Sequence, residues 1–175
     1  MPLDASLTLL PRYSVMLLTF AAIWLVPVKL SVRGLLTMAG LLWMMGGVSL
    51  MVIASQRLVS VWPETSLMVM MAVVAGAVLI GVAKGATVLS KAASRNIARL
   101  QAVTEPLPMR QVYELRSWIL IAVMIGLSLV LNLLDAIPVL ARGGVGLGIG
   151  LALFVSSIRY IRALAANRPP SVMPS

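Results

Sequence analysis

Five long apolar runs alternate with short polar segments along the chain. The runs cover residues 13–30, 34–54, 66–83, 117–134 and 143–161. Each run holds about 18 residues or more, and a helix of that length crosses the roughly 30 Å hydrocarbon core of a bilayer. The pattern predicts an all-α fold: a polytopic transmembrane helix bundle of five spans, forming one membrane domain over residues 1–175. Residues 165–175 are expected to form a disordered tail.

The first run has two other interpretations, a signal peptide and a surface helix. Only Arg12 precedes the run as a positive charge, and residues 23–29 contain no convincing small-residue cleavage site, which disfavours a signal peptide. Ser14 and Thr19 are too few to form the polar face of a surface helix. We therefore expect a span here. If the run does not cross the membrane, four spans remain and the amino terminus changes sides.

Composition supports a membrane protein and removes several kinds of chemistry. Hydrophobic residues make up 61% of the chain, charged residues 11%, and the mean hydropathy is +1.04. A water-soluble domain carries about a quarter charged residues. The chain has no cysteine and no histidine, so disulfides, thiol redox chemistry and the usual metal ligands and general base are missing. No enzyme activity, cofactor or metal is expected.

The basic residues predict the orientation in the membrane. If the chain changes sides at each run, only Arg12, Arg57 and Arg142 fall on one side. The other eleven of the 14 basic residues fall together: Lys29, Arg33, Lys84, Lys91, Arg95, Arg99, Arg110, Arg116, Arg159, Arg162 and Arg168. Positive residues near span ends stay in the cytoplasm, which predicts an outer amino terminus and a cytoplasmic carboxyl terminus. The net charge of +9 then favours contact with anionic lipid head groups over nucleic acid.

Residues 84–116 form a basic connector between the third and fourth runs. At helical spacing its first half is amphipathic, with one basic arc and one arc of Leu89, Ala93, Ile97 and Leu100. This predicts a cytoplasmic helix, either lying at the head groups with its apolar stripe in lipid or packed on the end of the bundle. The residues expected to contact lipid or a partner protein are Lys84, Lys91, Arg95, Arg99, Arg110 and Arg116.

A polar stripe on the fourth run is a candidate pathway for an ion or small solute. Ser128, Asn132 and Asp135 are spaced by four and three, so they share one helix face. Arg57 or Arg142 could supply the opposite charge. In the structural alternative, which we favour, Ser128 and Asn132 form interhelical hydrogen bonds and Asp135 belongs to a turn.

Small residues at a spacing of four predict close helix packing. One such pair is Ala72 and Gly76 in the third run. Two overlapping pairs, Gly144 with Gly148 and Gly146 with Gly150, lie near the start of the fifth run. The glycines expected to pack are Gly76, Gly144, Gly146, Gly148 and Gly150. The glycine-rich stretch matches no nucleotide-binding pattern.

Two segments of the chain are alike, which suggests an internal repeat. Residues 44–52 align with residues 123–131 at a constant offset of 79, and Pro27 matches Pro106 at the same offset. Such a repeat would be parallel, whereas many transporters contain inverted repeats. Chance similarity between two apolar helices explains the match equally well.

Residues 84–128 resemble small multi-span bacterial inner-membrane proteins of unknown function. The resemblance rests on Lys91, Arg95, Asn96 and Arg99, followed by the run that contains Met124 and Gly126. It implies a bacterial inner-membrane location and no particular activity. Together, these observations predict a non-catalytic protein that acts by helix association and by lipid or partner contact. The expected partner is a second copy of the chain or another membrane protein. The alternative is a small channel or carrier.

Overall fold

The computed structural model describes residues 28–115, 118, 119, 126 and 137–166. Its helices are α1 (Val32–Ser60), α2 (Leu67–Lys84), α3 (Ser90–Gln101) and α4 (Val139–Ala166). A π-helical segment, Gly85–Leu89, joins α2 to α3 without a break. Short 3-10 turns occupy Trp62–Glu64 and Met109–Val112. The described residues are therefore mainly helical, as the apolar runs predict.

Local chemistry explains where α1 and α2 begin. The Ser31 side chain accepts a hydrogen bond from the Gly34 backbone N–H at 3.3 Å, and Ser66 accepts one from Val69 at 3.4 Å. Each serine thus caps a helix by satisfying one of its free N–H groups. Between the two helices, Pro63 stands at the start of the Trp62–Glu64 turn, where its missing N–H costs nothing.

Three helices are long and apolar enough to cross a membrane: Val32–Ser60, Leu67–Gln101 and Val139–Ala166. They exceed the predicted runs because helix formation continues past the apolar residues. At 1.5 Å per residue, the 29 residues of α1 extend about 43 Å, beyond a hydrocarbon core of roughly 30 Å. The run at 13–30 and the run at 117–134 lie almost wholly outside the described residues, so the count of five spans stays a prediction.

Helix α4 lies between α1 and α2, which have few direct contacts with each other. Gly150 lies against Gly47, and Gly143 lies against Leu58, so α4 runs antiparallel to α1. Along α2, Val73 faces Gly144 and Gly81 faces Gly148, so α4 runs parallel to α2. These directions are the ones that alternating spans require. Most large side chains on the outer sides of these helices are exposed, among them Met45, Met68, Leu79 and Val145.

The main buried cluster lies at one end of the bundle, where α1 begins and α4 ends. We call it the end core; it consists of Leu35, Leu36, Ala39, Ala93, Ile97, Leu100, Val112, Tyr113, Trp118 and Tyr160. Helix α3 contributes Ala93, Ile97 and Leu100, which are all buried inside the protein. This burial favours the second alternative for α3, in which its apolar stripe packs on the end of the bundle.

A two-stranded clasp joins the start of α1 to the connector. Strand β1 (Lys29–Leu30) pairs antiparallel with β2 (Leu107–Pro108), with Lys29 opposite Pro108 and Leu30 opposite Leu107. The backbone N–H of Met109 also donates to the Val28 carbonyl at 3.0 Å. The clasp was not expected from the sequence, and it holds the connector beside the first turn of α1.

Candidate functional site

The end core contains a buried polar network centred on Asn96 of α3. The Asn96 Nδ2 atom donates to the Val112 carbonyl and to the Tyr160 hydroxyl, at 3.1 Å each. Asn96 is 8% exposed and Tyr160 is fully buried. A buried amide without partners is costly, whereas here both bonds join different elements. The network therefore ties α3 to the connector and to α4.

Arg99 points into this network instead of outward. Its Nη2 atom donates to Asn96 Oδ1 at 3.2 Å, to the Gln111 carbonyl at 2.6 Å and to the Val112 carbonyl at 3.1 Å. Its Nε lies 3.8 Å from Glu114 Oε1, and 27% of the Arg99 side chain is exposed. Because the guanidinium is engaged by the connector, Arg99 is poorly placed for the lipid or partner contact that the sequence suggests.

Two aromatic rings close the connector over the start of α1. The Tyr113 hydroxyl donates to the Ala39 carbonyl at 2.9 Å, and Trp118 Nε1 donates to the Arg110 carbonyl at 3.1 Å. The two rings meet nearly edge to face, with centroids 5.4 Å apart. Burial raises the pKa of Tyr113 well above its ordinary value; nearby Tyr160 adds to the rise, and a hydrogen bond with Trp43 opposes it. Both side chains thus hold the connector against the start of α1.

The end core coincides with a basic end of the molecule. Nine of the described basic residues lie at this end: Lys29, Arg33, Lys84, Lys91, Arg95, Arg99, Arg110, Arg159 and Arg162. Arg57 and Arg142 lie at the other end, near the turn that contains Glu64. Of the predicted contact residues, Lys84, Lys91, Arg95 and Arg110 are exposed. Arg116 lies outside the described residues.

Four of the predicted packing glycines lie where α4 meets its neighbours. A Cβ added at Gly144 would lie 2.7 Å from Val73 Cγ1, and one at Gly150 would lie 2.8 Å from the Gly47 carbonyl oxygen. For Gly146 and Gly148 the nearest atoms would be 3.3 Å away. A Cβ at Gly76 would meet nothing within 4 Å in the described chain.

Gly81 and Gly85 were not predicted to pack, yet they make the tightest approaches from α2 and the π segment. A Cβ at Gly81 would lie 2.6 Å from the Gly148 carbonyl oxygen, and one at Gly85 would lie 2.8 Å from that of Ala152. Gly81 and Gly85 are spaced by four, so the signal that identified Gly144 and Gly148 would have identified them too.

An open groove of about 250 Å³ lies on the connector beside the end core. Its lining consists of Arg110, Gln111, Tyr113, Leu115 and Trp118. Leu115 is 69% exposed, and Arg110 and Gln111 are also exposed. The groove thus combines one cation with apolar and aromatic surface.

The proposed polar pathway cannot be placed beside these features. Ser128, Asn132 and Asp135 lie outside the described residues, and the channel or carrier alternative stays a prediction. The second copy of the internal repeat, residues 123–131, also lies outside them except for Gly126. Within the described ranges, no group of three or more acidic, histidine or cysteine residues could hold a metal ion.

Comparison of the chain with protein-family models, with curated proteins and with solved structures found no match.

Proposed function

We propose that this chain is a non-catalytic integral membrane protein that works by helix association and by contact of its basic connector with anionic lipid or a partner protein. In this proposal the chain has five spans in a bacterial inner membrane. The basic end and the carboxyl terminus face the cytoplasm, and the amino terminus lies outside.

The observation that carries the proposal is the separation of apolar and basic surface along the bundle. In the most apolar part of each long helix, fewer than a quarter of the residues are buried. Lipid would cover this exposed apolar surface without cost. Lys84, Lys91, Arg95 and Arg110 are exposed at the basic end, where they would meet anionic head groups. In this arrangement α3 lies at head-group level, with its basic arc outward.

Helix association is supported by the α4 interface. Backbone atoms of α4 approach both α1 and α2 at glycine positions, and small residues are what allow such approaches inside a membrane. Ala72 is exposed next to Gly76, so this face of α2 stays open to lipid or to a second copy of the chain.

Reporter fusions test the topology. A reporter that is active only in the cytoplasm should work when it is inserted after Thr104, in the connector. A reporter that is active only in the periplasm should work when it is inserted after Glu64. Extraction of the fusions with alkaline carbonate should leave them in the membrane pellet. A periplasmic connector, or release of the protein by carbonate, would contradict the proposal.

Purification in mild detergent tests the mode of action. The proposal predicts retained anionic phospholipid, a defined partner or an oligomer, measured by lipid extraction and by light scattering of the purified complex. A triple change, Lys84→Gln, Lys91→Gln and Arg95→Gln, should lower the retained anionic lipid or the partner yield, because it removes exposed cations without touching the end core. The proposal would be overturned by a lipid-free monomer whose lipid content and oligomeric state change neither with this triple change nor with a bulky residue at Gly148.

A further inference from the structure

The groove on the connector is lined mainly by apolar and aromatic side chains, and Arg110 is the cation among its lining residues. Tyr113 and Trp118 line the groove but are only 4% and 6% exposed, so each contributes a small apolar surface. Leu115 adds a largely exposed aliphatic side chain. Ile119, which belongs to the run at 117–134, is also exposed, at 56%.

Arg110 is the cation of the groove that is available to bind an anionic ligand. Among the described residues, Glu105 and Glu114 are the acids of the connector, and neither lies within ion-pairing distance of Arg110. Glu114 instead lies 3.8 Å from Arg99 Nε, and the Arg99 guanidinium is bonded to connector carbonyls. The Glu114 charge is thus partly offset, and Arg110 carries an exposed charge that no carboxylate of the connector pairs.

We propose that Arg110 and this groove bind one anionic phospholipid, with its phosphate at the Arg110 guanidinium and an acyl chain along Leu115 and Trp118. Arginine forms charge-assisted hydrogen bonds to phosphate oxygens, and tryptophan and tyrosine favour the head-group level of membranes. The exposed side chains of Leu115 and Ile119 offer apolar surface to an acyl chain, which must pass from the head group into the hydrocarbon. This inference rests on the proposed function, because it requires the connector to lie at the membrane surface.

The test is titration of the purified full chain in mild detergent, with bound lipid counted by native mass spectrometry. The probes are dioctanoyl phosphatidylglycerol, dioctanoyl phosphatidylcholine and glycerol phosphate. We expect one phosphatidylglycerol to bind at concentrations where the zwitterionic lipid does not. Glycerol phosphate should neither bind nor compete, because it lacks the acyl chains that would fill the groove.

Two variants test the two halves of the site. Arg110→Gln should weaken phosphatidylglycerol binding about fivefold, as expected for one basic residue near a membrane surface, and Arg110→Lys should retain most of it. Leu115→Gln should also weaken binding while keeping the charge. Arg162→Gln is the matched control, since Arg162 is exposed on α4, does not line the groove and is not among the proposed lipid-contact residues. Trp118 bonds to the main-chain oxygen of Arg110, which both Arg110 variants retain.

The outcomes separate this inference from the proposed function. If Arg110→Gln and Leu115→Gln bind phosphatidylglycerol as the unchanged chain does, while the triple change on α2 and α3 lowers binding, the groove is not the site and the proposed function stands. Equal binding of glycerol phosphate and phosphatidylglycerol would also overturn the groove assignment. If no form of the chain distinguishes phosphatidylglycerol from phosphatidylcholine, both this inference and the proposed lipid contact fail.

Discussion

Backbone contact determines which glycines of the bundle can accept a side chain. Gly81 and Gly76 are five residues apart on α2, yet only Gly81 lies against a neighbouring backbone. The Gly148 carbonyl cannot move aside as a flexible side chain would, because it belongs to the hydrogen-bonded turn of α4. Spacing alone predicted that Gly76 packs, and only the structure separates a glycine that touches α4 from one that does not.

We expect Gly81→Ala to destabilise the bundle by about 1–3 kcal/mol, since its Cβ would meet the Gly148 oxygen at 2.6 Å. Gly76→Ala is the control on the same helix. It should be neutral or stabilising by up to about 1 kcal/mol, because alanine favours the helix and no atom of another described element lies within 4 Å of the added Cβ. Unfolding by sodium dodecyl sulfate in detergent micelles, followed by circular dichroism, compares the two. Equal stability would contradict the packing of α2 on α4.

The stability that Tyr113 contributes to the docked connector depends on pH in the alkaline range. Burial raises the pKa of its phenol above the ordinary value of 10.0, so the folded protein keeps the proton that bonds to the Ala39 carbonyl. A raised folded-state pKa means that this stability is fully present below about pH 10 and is lost as the pH rises through the folded-state pKa.

We therefore expect the unchanged chain to be more stable than Tyr113→Phe below pH 10, by about 1 kcal/mol for the lost hydrogen bond. The difference should shrink as the pH rises further, because the phenylalanine variant has no proton to lose at this site. Thermal unfolding of both proteins from pH 8 to 12 measures it. A difference that stays constant over the whole range would show that Tyr113 titrates normally.

Among the secondary-structure elements, the long helices follow from the sequence and the clasp does not. Apolar length predicts the long helices, and helical spacing predicts the two arcs of α3. A two-residue strand carries no alternating pattern, so β1 and β2 could be found only in three dimensions. The bonding of the Arg99 guanidinium into the polar network was not predictable either, because helical spacing places Arg99 on the basic arc with Lys91 and Arg95. The carbonyls that engage it belong to residues 111 and 112, beyond the reach of any helical pattern.

Cysteine pairs test the clasp cleanly, because the natural chain has no cysteine. We expect Leu30→Cys combined with Leu107→Cys to form a disulfide on mild oxidation, since these residues pair across the two strands. Faster migration of the oxidised protein on a non-reducing gel reports the bond. Leu30→Cys with Thr104→Cys serves as the control, because Thr104 lies outside the paired register. Comparable cross-linking of both pairs would indicate a loose connector.

Over the whole molecule, α4 holds the described parts together. It lies between α1 and α2, contributes Tyr160 to the end core and contains five glycines that lie against α1 or α2. Without α4, Gly47 of α1 and Gly81 of α2 lose the backbone that they lie against, and Asn96 loses the Tyr160 hydroxyl group that it contacts.

A chain shortened to residues 1–138 should therefore be degraded quickly in cells. The expected change is a half-life several times shorter in a pulse-chase experiment. A chain shortened to residues 1–166 is the control, because it keeps all of α4 and removes only the tail. Similar half-lives for the two shortened chains would contradict a central role for α4.

The central position of α4 also has a consequence for biosynthesis. Ribosomes make this helix after α1, α2 and the connector. In the proposed membrane location, the earlier segments would therefore reach the bilayer before α4 exists. Lipid would then occupy the space that α4 later fills, and insertion of α4 would displace it. We expect the nascent protein to depend on a membrane chaperone or insertase that shields the half-built bundle until translation passes the last helix.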